Sequence, residues 1–266
     1  MTDETTDHRE KALGAEEIER RFRSPLVLGL RPVIWGSLYT FMGIRGYGWK
    51  AQFDVDLTQL EGPLVFASNH RSHADTAAIL GTLPQIICRR TCTAAALDVF
   101  GPDTNSGWRR KLSKDMLQLM TAAGFHAFAF DRFGPPLRSV RTSVQLIRNG
   151  WNLLLYPEGT RSRTGEMGQF KAGVGVLARF SQRPVVPVFV DGGESILPYG
   201  SFLPRGAFAI VRYGAPMRYA ADDTPQSFAD RLQAEVRRLG QRQARAVAKL
   251  AYMSAHPFFH ARKQPA

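Results

Sequence analysis

The sequence predicts an α/β fold: a single domain with a mostly parallel mixed sheet flanked by helices, preceded by an amphipathic, interfacial helical element. Three observations carry this. From residue 60 onward, short β-type runs alternate with helical patterns, as in strands joined by crossover helices. Gly, Pro and capping residues mark nearly every change of pattern. The chain has 266 residues, 44% of them hydrophobic, enough for one large domain with a sizeable core and too many for a disordered chain.

The elements follow in order. A helix is expected from about Ala15 to Arg23, closing an acidic leader over residues 1–23. Pro25 to Ile44 is the most apolar stretch, with its longest clean run from Pro32 to Ile44. That run is short of the roughly 20 residues a spanning helix needs, but a helix lying in the bilayer interface can be shorter. Trp35 and Tyr39 inside it, and Arg31 and Arg45 at its ends, suit headgroup-level anchoring. A buried core helix would read the same way. Residues 24–59 are assigned to this element and 60–220 to the α/β core.

Within the core, Leu64–Ser68 reads as a strand and Ser72–Leu83 as a helix ended by Pro84. Ile86–Ala94 and Phe125–Phe130 read as strands, with a helix from Ser106 to Ala123 stopped by Gly124 between them. Arg138–Arg148 is a helix closed by Asn149-Gly150, and Trp151–Tyr156 is a buried strand. Ala172–Ser181 is helical, Val185–Val190 is a strand, and Ala207–Tyr213 is a strand ending at Gly214. Pro187 inside the Val185 strand points to a sheet edge or end. Thr224 caps a long final helix with Pro225 in its first turn. Residues 221–266 form this basic amphipathic helix and tail, with Arg231, Arg238, Arg242, Arg245 and Lys249 on one broad face.

The charge is uneven. Lys and Arg number 35 against 23 Asp and Glu, a net of +12. Residues 1–20 hold seven acidic and three basic side chains, net −4, so the remainder stands near +16. A basic body of this kind seeks phosphate on nucleic acid, anionic lipid or a small substrate. The order of acidic leader before apolar residues is wrong for a secretory signal. The only cysteines, Cys88 and Cys92, exclude a disulfide scaffold and fit a reducing compartment.

In α/β folds chemistry gathers on the loops after strand C-termini. Three such loops hold reactive side chains. The first, Ser68-Asn69-His70-Arg71-Ser72-His73-Ala74-Asp75, leaves a strand and opens a helix. On a continuous helix, His70 and Asp75 would be turned about 140° apart. They meet only if His70 lies on the entering loop and Asp75 in the first turn, with Ser72 as cap. A carboxylate on one imidazole nitrogen then fixes the tautomer and makes the other a general base. Alternatively, His70, His73 and Asp75 could ligate a metal, though no further His–carboxylate cluster completes such a site.

The second loop is Tyr156-Pro157-Glu158-Gly159-Thr160-Arg161-Ser162. Glu158 and Arg161 are expected to point out of it, with Arg161 offering a planar fork for phosphate and Gly159 admitting close backbone approach. A Glu158–Arg161 pair closing its own loop is the plainer alternative. Lys171, opening the next helix, adds a cation. The third carries Arg132, just beyond Phe128-Ala129-Phe130-Asp131, where it can join Arg161 and Lys171.

The order Asn69-His70-x-Ser72-x-x-Asp75, Phe130-Asp131-Arg132, Pro157-Glu158-Gly159-Thr160-Arg161-Ser162, Phe170-Lys171-x-Gly173 and Val186-Pro187-Val188 resembles the glycerolipid acyltransferases. These include the 1-acylglycerol-3-phosphate acyltransferases with their His-x4-Asp signature. The resemblance covers roughly residues 60–215. It implies that His70 deprotonates an acceptor hydroxyl, that Asp75 orients it, and that the hydroxyl attacks the thioester of acyl-CoA or acyl-carrier protein. It further implies that Arg132, Glu158, Gly159, Thr160, Arg161 and Lys171 hold a phosphate-bearing lysophospholipid. No metal or other cofactor is implied. The expected place is the cytoplasmic face of a membrane, peripheral or monotopic, on an anionic surface. Two readings from other classes remain. A nucleic-acid-binding protein would use the basic surplus, but no aromatic-interleaved basic patch supports it. A metal-dependent hydrolase would use His70, His73 and Asp75. The segment Asp191-Gly192-Gly193-Glu194-Ser195 lies outside the shared signature and is expected to shape the acceptor pocket.

Overall fold

A computed structural model describes residues 14–45, 48–96, 119–130, 136–162, 165–198 and 207–255. Their elements are α1 (Ala15–Phe22), α2 (Pro25–Arg45), β1 (Gly48–Phe53), a 3-10 turn (Leu57–Gln59), β2 (Val65–Ser68), α3 (Ala74–Thr82), α4 (Gln85–Cys88) and β3 (Thr91–Ala96). After a helical stretch at 119–125 come β4 (Ala127–Phe130), α5 (Pro136–Arg148), β5 (Asn152–Leu155), α6 (Gly173–Ser181), β6 (Val185–Asp191), α7 (Gly193–Ile196), β7 (Phe208–Tyr213) and α8 (Pro225–Ala255).

The strands form one seven-stranded sheet in the order β1-β7-β6-β2-β5-β3-β4. Only β6 and β7 pair antiparallel; the other neighbours are parallel. Successive strand residues face opposite layers. Val65 and Ala67 of β2 join one apolar layer with Phe22 of α1, Ile147 of α5, Leu177 of α6 and Leu232 of α8. Phe66 between them joins the other, with Met42 of α2, Ile79 of α3 and Ile87 of α4. The fold is therefore the α/β sandwich the alternation predicts. Its central strands β5, β2 and β6 send their C-terminal loops to one side.

Several expectations need correction. Ile86-Ile87-Cys88 is helical, because Pro84 starts a turn whose carbonyl accepts from Ile87 and Cys88 N–H, both at 2.9 Å. The strand begins only at Thr91, where pairing with β5 becomes available. Phe125 closes a helix instead of opening a strand, and His126 makes the break with φ +46°. Of the helix expected from Ser106, residues 106–118 lie outside the described residues.

Pro187 is in the sheet interior, not at an edge. Its carbonyl accepts from Gly214 N–H at 2.9 Å, on the β7 side. There the chain leaves the ladder after Tyr213 and rejoins it only at the Val185–Met217 bridge. The missing N–H of proline thus falls in a gap and costs no ladder bond.

Residues 24–59 are not one helical element. The helix ends at Arg45, and Gly48–Phe53 is the edge strand of the main sheet. Nor is the C-terminal helix an appendage. Phe228, Ala229, Leu232, Val236 and Leu239 are fully buried. Thr224 caps it as expected: its hydroxyl accepts from Ser227 N–H at 3.1 Å, and the Ser227 hydroxyl accepts from Thr224 N–H at 2.8 Å. Three of the five cations on its basic face are paired within the chain. Arg231 pairs with Asp223, Arg238 with Glu235, and Arg242 reaches both oxygens of Asp54 at 2.6 and 2.8 Å. The side chains of Arg245 and Lys249 lie outside the description.

Helix α2 is apolar on two faces. One packs on the core through Val27, Ile34, Trp35 and Met42, with the Trp35 indole donating to the Gly124 carbonyl at 3.0 Å. Arg31 on that face donates to the Cys88 carbonyl at 3.0 Å and meets the His126 ring. Burial first, and then Arg31, push His126 down to about 3, so it is neutral at pH 7 and can accept from the guanidinium. Leu26, Val33 and Ile44 share another face and are exposed, Ile44 to 77%. Among the described residues no helix is long and apolar enough to cross a membrane.

Candidate active site

The loops after β2, β5 and β6 converge. Asp75 stands in the first turn of α3 and is 1% exposed. Its Oδ2 accepts from the backbone N–H of Arg71 and of Ser72, both at 2.7 Å, and lies 3.1 Å from His70 Nδ1. The helix N-terminus favours the charge. Ser72 stabilises the entry: its hydroxyl accepts from Ala74 N–H at 3.1 Å and donates to the Leu197 carbonyl at 2.7 Å. The spacing argument thus holds, with His70 on the loop and Asp75 in the turn.

The imidazole plane is set by Tyr156, whose ring stacks on it at 3.8 Å between centroids and 15° between planes. The Tyr156 hydroxyl is in turn 2.7 Å from Thr76 Oγ1. Burial, and then the Asp75 carboxylate, hold this phenol well above its usual range, so it stays protonated. Asn69 ties the loop to β6, donating to the Val190 carbonyl at 2.9 Å and accepting from Val190 N–H at 2.8 Å.

Glu158 does not point out of its loop. It is 6% exposed, and its carboxylate faces inward. Oε1 accepts from His70 N–H and Oε2 from Gly168 N–H, both at 2.8 Å. Burial raises its pKa, and these two N–H groups offset part of the rise. The same loop grips His70 a second time, Ser162 N–H donating to the His70 carbonyl at 2.9 Å.

Glu158, Thr160, Arg161, Ser162, Glu166, Met167, Gly168 and Gln169 line a cleft of about 550 Å³. Gly159 turns the loop with φ +75°, and a Cβ there would stand 2.9 Å from Lys171 Nζ. That close approach brings the Lys171 ammonium onto the same loop as Arg161. His73, on the first loop, feels the charge of Arg161. The protein around its ring, then Arg161, then His70, push it down to about 4, leaving it neutral at pH 7. Among the described residues, no three His, Cys, Asp or Glu are grouped so as to hold a metal ion.

Of the residues singled out from sequence, His70, Asp75, Glu158, Gly159, Thr160, Arg161 and Lys171 gather here. Arg132 lies outside the described residues. Tyr156, Thr76 and Gly168 were not anticipated. Chemically, an imidazole with one nitrogen on a buried carboxylate can take a proton at the other.

The family model described as Acyltransferase matches residues 52–191, just over half of the chain. The chain belongs to the acyltransferase family. The match begins in β1 and ends with β6, so it contains the loops after β2 and β5 and stops where the turn after β6 begins. Among similar proteins, the 1-acyl-sn-glycerol-3-phosphate acyltransferase LPAT1, chloroplastic, of Arabidopsis thaliana is 36% identical over 174 residues, 63% of this chain and 42% of its own length. The 1-acyl-sn-glycerol-3-phosphate acyltransferase of Limnanthes douglasii is 35% identical over 103 residues, 38% of this chain and 36% of its own. The chain thus matches less than half the length of these relatives. The crystal structure of the 1-acyl-sn-glycerophosphate (LPA) acyltransferase PlsC from Thermotoga maritima shares the fold, with a TM-score of 0.60 at 16% identity, covering 86% of this chain and 87% of that one.

Proposed function

We propose that this acyltransferase-family protein moves a fatty acyl group from acyl-CoA or acyl-carrier protein to the free hydroxyl of a lysophospholipid. The acceptor assigned is 1-acyl-sn-glycerol-3-phosphate, giving phosphatidic acid. The observation that carries this is the His70–Asp75 pair, 3.1 Å apart, beside a cleft lined by Thr160, Arg161 and Ser162. His70 Nε2 takes the proton of the acceptor hydroxyl as its oxygen attacks the thioester carbonyl. The tetrahedral intermediate collapses with loss of the C–S bond. The imidazolium returns the proton to the departing sulfur, releasing the free thiol. Since the acceptor supplies the nucleophile, no enzyme serine, metal or further cofactor enters, and chelators leave the rate unchanged.

Arg161 and Lys171 neutralise the acceptor phosphate, Thr160 donates to it, Gly159 admits it, and Glu158 holds the wall behind it. Arg161→Ala raises the acceptor KM by at least tenfold in steady-state kinetics, the loss of a charged hydrogen bond of about 1.5–3 kcal/mol, with a smaller effect on kcat.

The enzyme works at the cytoplasmic face of a membrane, held peripherally through the exposed face of α2. A helix apolar all round, with one face on the core, has the other available for acyl chains. Each aliphatic side chain taken from water is worth about 1.5–3 kcal/mol. Replacing Leu26, Val33 and Ile44 together by Glu therefore lowers partition onto anionic vesicles by roughly a thousandfold in flotation.

The function is tested by transfer of labelled acyl groups to a panel of lyso-lipids. Transfer to lysophosphatidic acid is expected. Transfer confined to another lyso-lipid changes the acceptor and keeps the chemistry. No transfer from either donor to any acceptor contradicts the proposal.

A further inference from the structure

The turn after β6, expected to shape the acceptor pocket, packs against the loop that carries His70 and Asp75. We propose that it is the seat of the catalytic carboxylate, with Gly193 as a positioning residue for Asp75. This rests on the assignment of His70 and Asp75 as the catalytic pair.

Gly193 opens α7 directly against Asp75. A Cβ on Gly193 would stand 2.1 Å from Asp75 Oδ1, 3.3 Å from its Cγ and 3.5 Å from Ser72 Cβ. No side chain tolerates the first distance, and Asp75, held by three donors on Oδ2, has nowhere to withdraw. The Oδ1 atom is buried and has no hydrogen-bond partner among the described residues. Gly193 thus walls it off from water and leaves Oδ2 as the only oxygen in polar contact, facing His70. The same turn holds both residues whose backbone N–H groups grip Oδ2. Glu194 Oε1 accepts from Arg71 Nη1 at 3.3 Å, and the Leu197 carbonyl accepts from the Ser72 hydroxyl at 2.7 Å. Gly192 makes the approach possible with φ +85°, passing so close to β7 that a Cβ would lie 2.5 Å from the Phe208 carbonyl oxygen. One short turn therefore fixes Arg71, Ser72 and Asp75 together.

The test compares Gly193→Ala, Asp75→Asn and the double variant, with exposed Ser195→Ala as control. Gly193→Ala is expected to lower kcat roughly 100-fold, the scale of a 1 Å misplacement, with acceptor KM within about twofold. In the Asp75→Asn chain the same change costs less than about threefold more, because it acts through the carboxylate. Ser195→Ala changes neither. Gly193→Ala at wild-type kcat, or an equal loss in both backgrounds, overturns the proposal. Should Gly193→Ala fail to fold, Asp75→Ala in the same chain removes the clashing atom and restores the melting temperature of Asp75→Ala alone. No recovery overturns the proposal. That melting comparison reads the contact even if the wild type transfers no acyl group, so the two failures are distinguishable.

Discussion

Asp75→Asn is expected to lower kcat by about 10³–10⁴-fold, while the acceptor KM stays within about twofold. An amide is nearly the same size as a carboxylate but cannot satisfy this site in either orientation. With its oxygen at the Oδ2 position it keeps the Arg71 and Ser72 N–H bonds but loses the charge that stabilises an imidazolium on His70. Its NH2 then sits where Oδ1 was, buried and without an acceptor. An unmade buried hydrogen bond costs about 1–3 kcal/mol. Flipped, the NH2 faces two backbone donors, and His70 must present an acceptor at Nδ1, which puts the ring proton on Nε2. That tautomer cannot accept from the substrate. Since Asp75 is 1% exposed, it cannot touch the acceptor, and KM has no reason to move. The folded state survives with a melting temperature lower by roughly 2–10 °C. A variant within tenfold of the wild-type kcat would show that the carboxylate is structural only.

Glu158→Gln is the second large effect. Both carboxylate oxygens accept a backbone N–H, from His70 on one side and Gly168 on the other. Glutamine has one acceptor, and its NH2 must confront the second N–H. Either the His70 backbone or the cleft wall at Gly168 shifts, and a displacement near 1 Å costs roughly 100-fold. Because both elements are tied to one side chain, kcat falls and acceptor KM rises together, unlike Asp75→Asn. Stability goes the other way with pH. Burial raises the Glu158 pKa, so the native state binds that proton more tightly than the unfolded chain. Wild-type stability is therefore lowered by this group as pH rises from the ordinary carboxylate range through the raised value. The uncharged glutamine escapes that loss. Thermal melts across this range are expected to show a flatter curve for the variant while its activity stays low. Unchanged kinetics would mean that these two backbone contacts are dispensable.

The relation of sequence to structure differs from residue to residue. The His70–Asp75 pair was legible because both members lie on one loop and turn, where local grammar fixes who can meet whom. Glu158 was misjudged because its partner is the backbone of His70, 88 positions away, and only the parallel pairing of β2 with β5 brings the loops together. Tyr156 reads in the sequence only as the end of a strand and the start of a loop. Its stacking depends on the same pairing. The helix–strand confusion at Ile86-Ile87-Cys88 is intrinsic to a short apolar run, which suits either state until tertiary pairing decides. β1 escaped notice because an edge strand half in solvent lacks a continuous apolar pattern, and Gly48–Phe53 follows directly on an apolar helix. Pro187 misled because the edge rule for proline assumes an unbroken ladder, and the ladder is broken beside it. The basic face of α8 reads from the sequence as a row of unpaired cations. Asp54 and Asp223, which neutralise Arg242 and Arg231, lie outside that helix and are brought to it by the fold, whereas Glu235 meets Arg238 one turn away on the helix itself.

The most direct test of His70 as the base is acyl transfer by His70→Ala beside the wild type, at saturating donor and acceptor, with melting temperatures measured on the same preparations. The expected result is a loss of about 10²–10⁴-fold in kcat, with an unchanged far-ultraviolet circular dichroism spectrum and a melting temperature within a few degrees of wild type. A folded His70→Ala that retains full transfer activity would contradict the mechanism, whatever the acceptor proves to be.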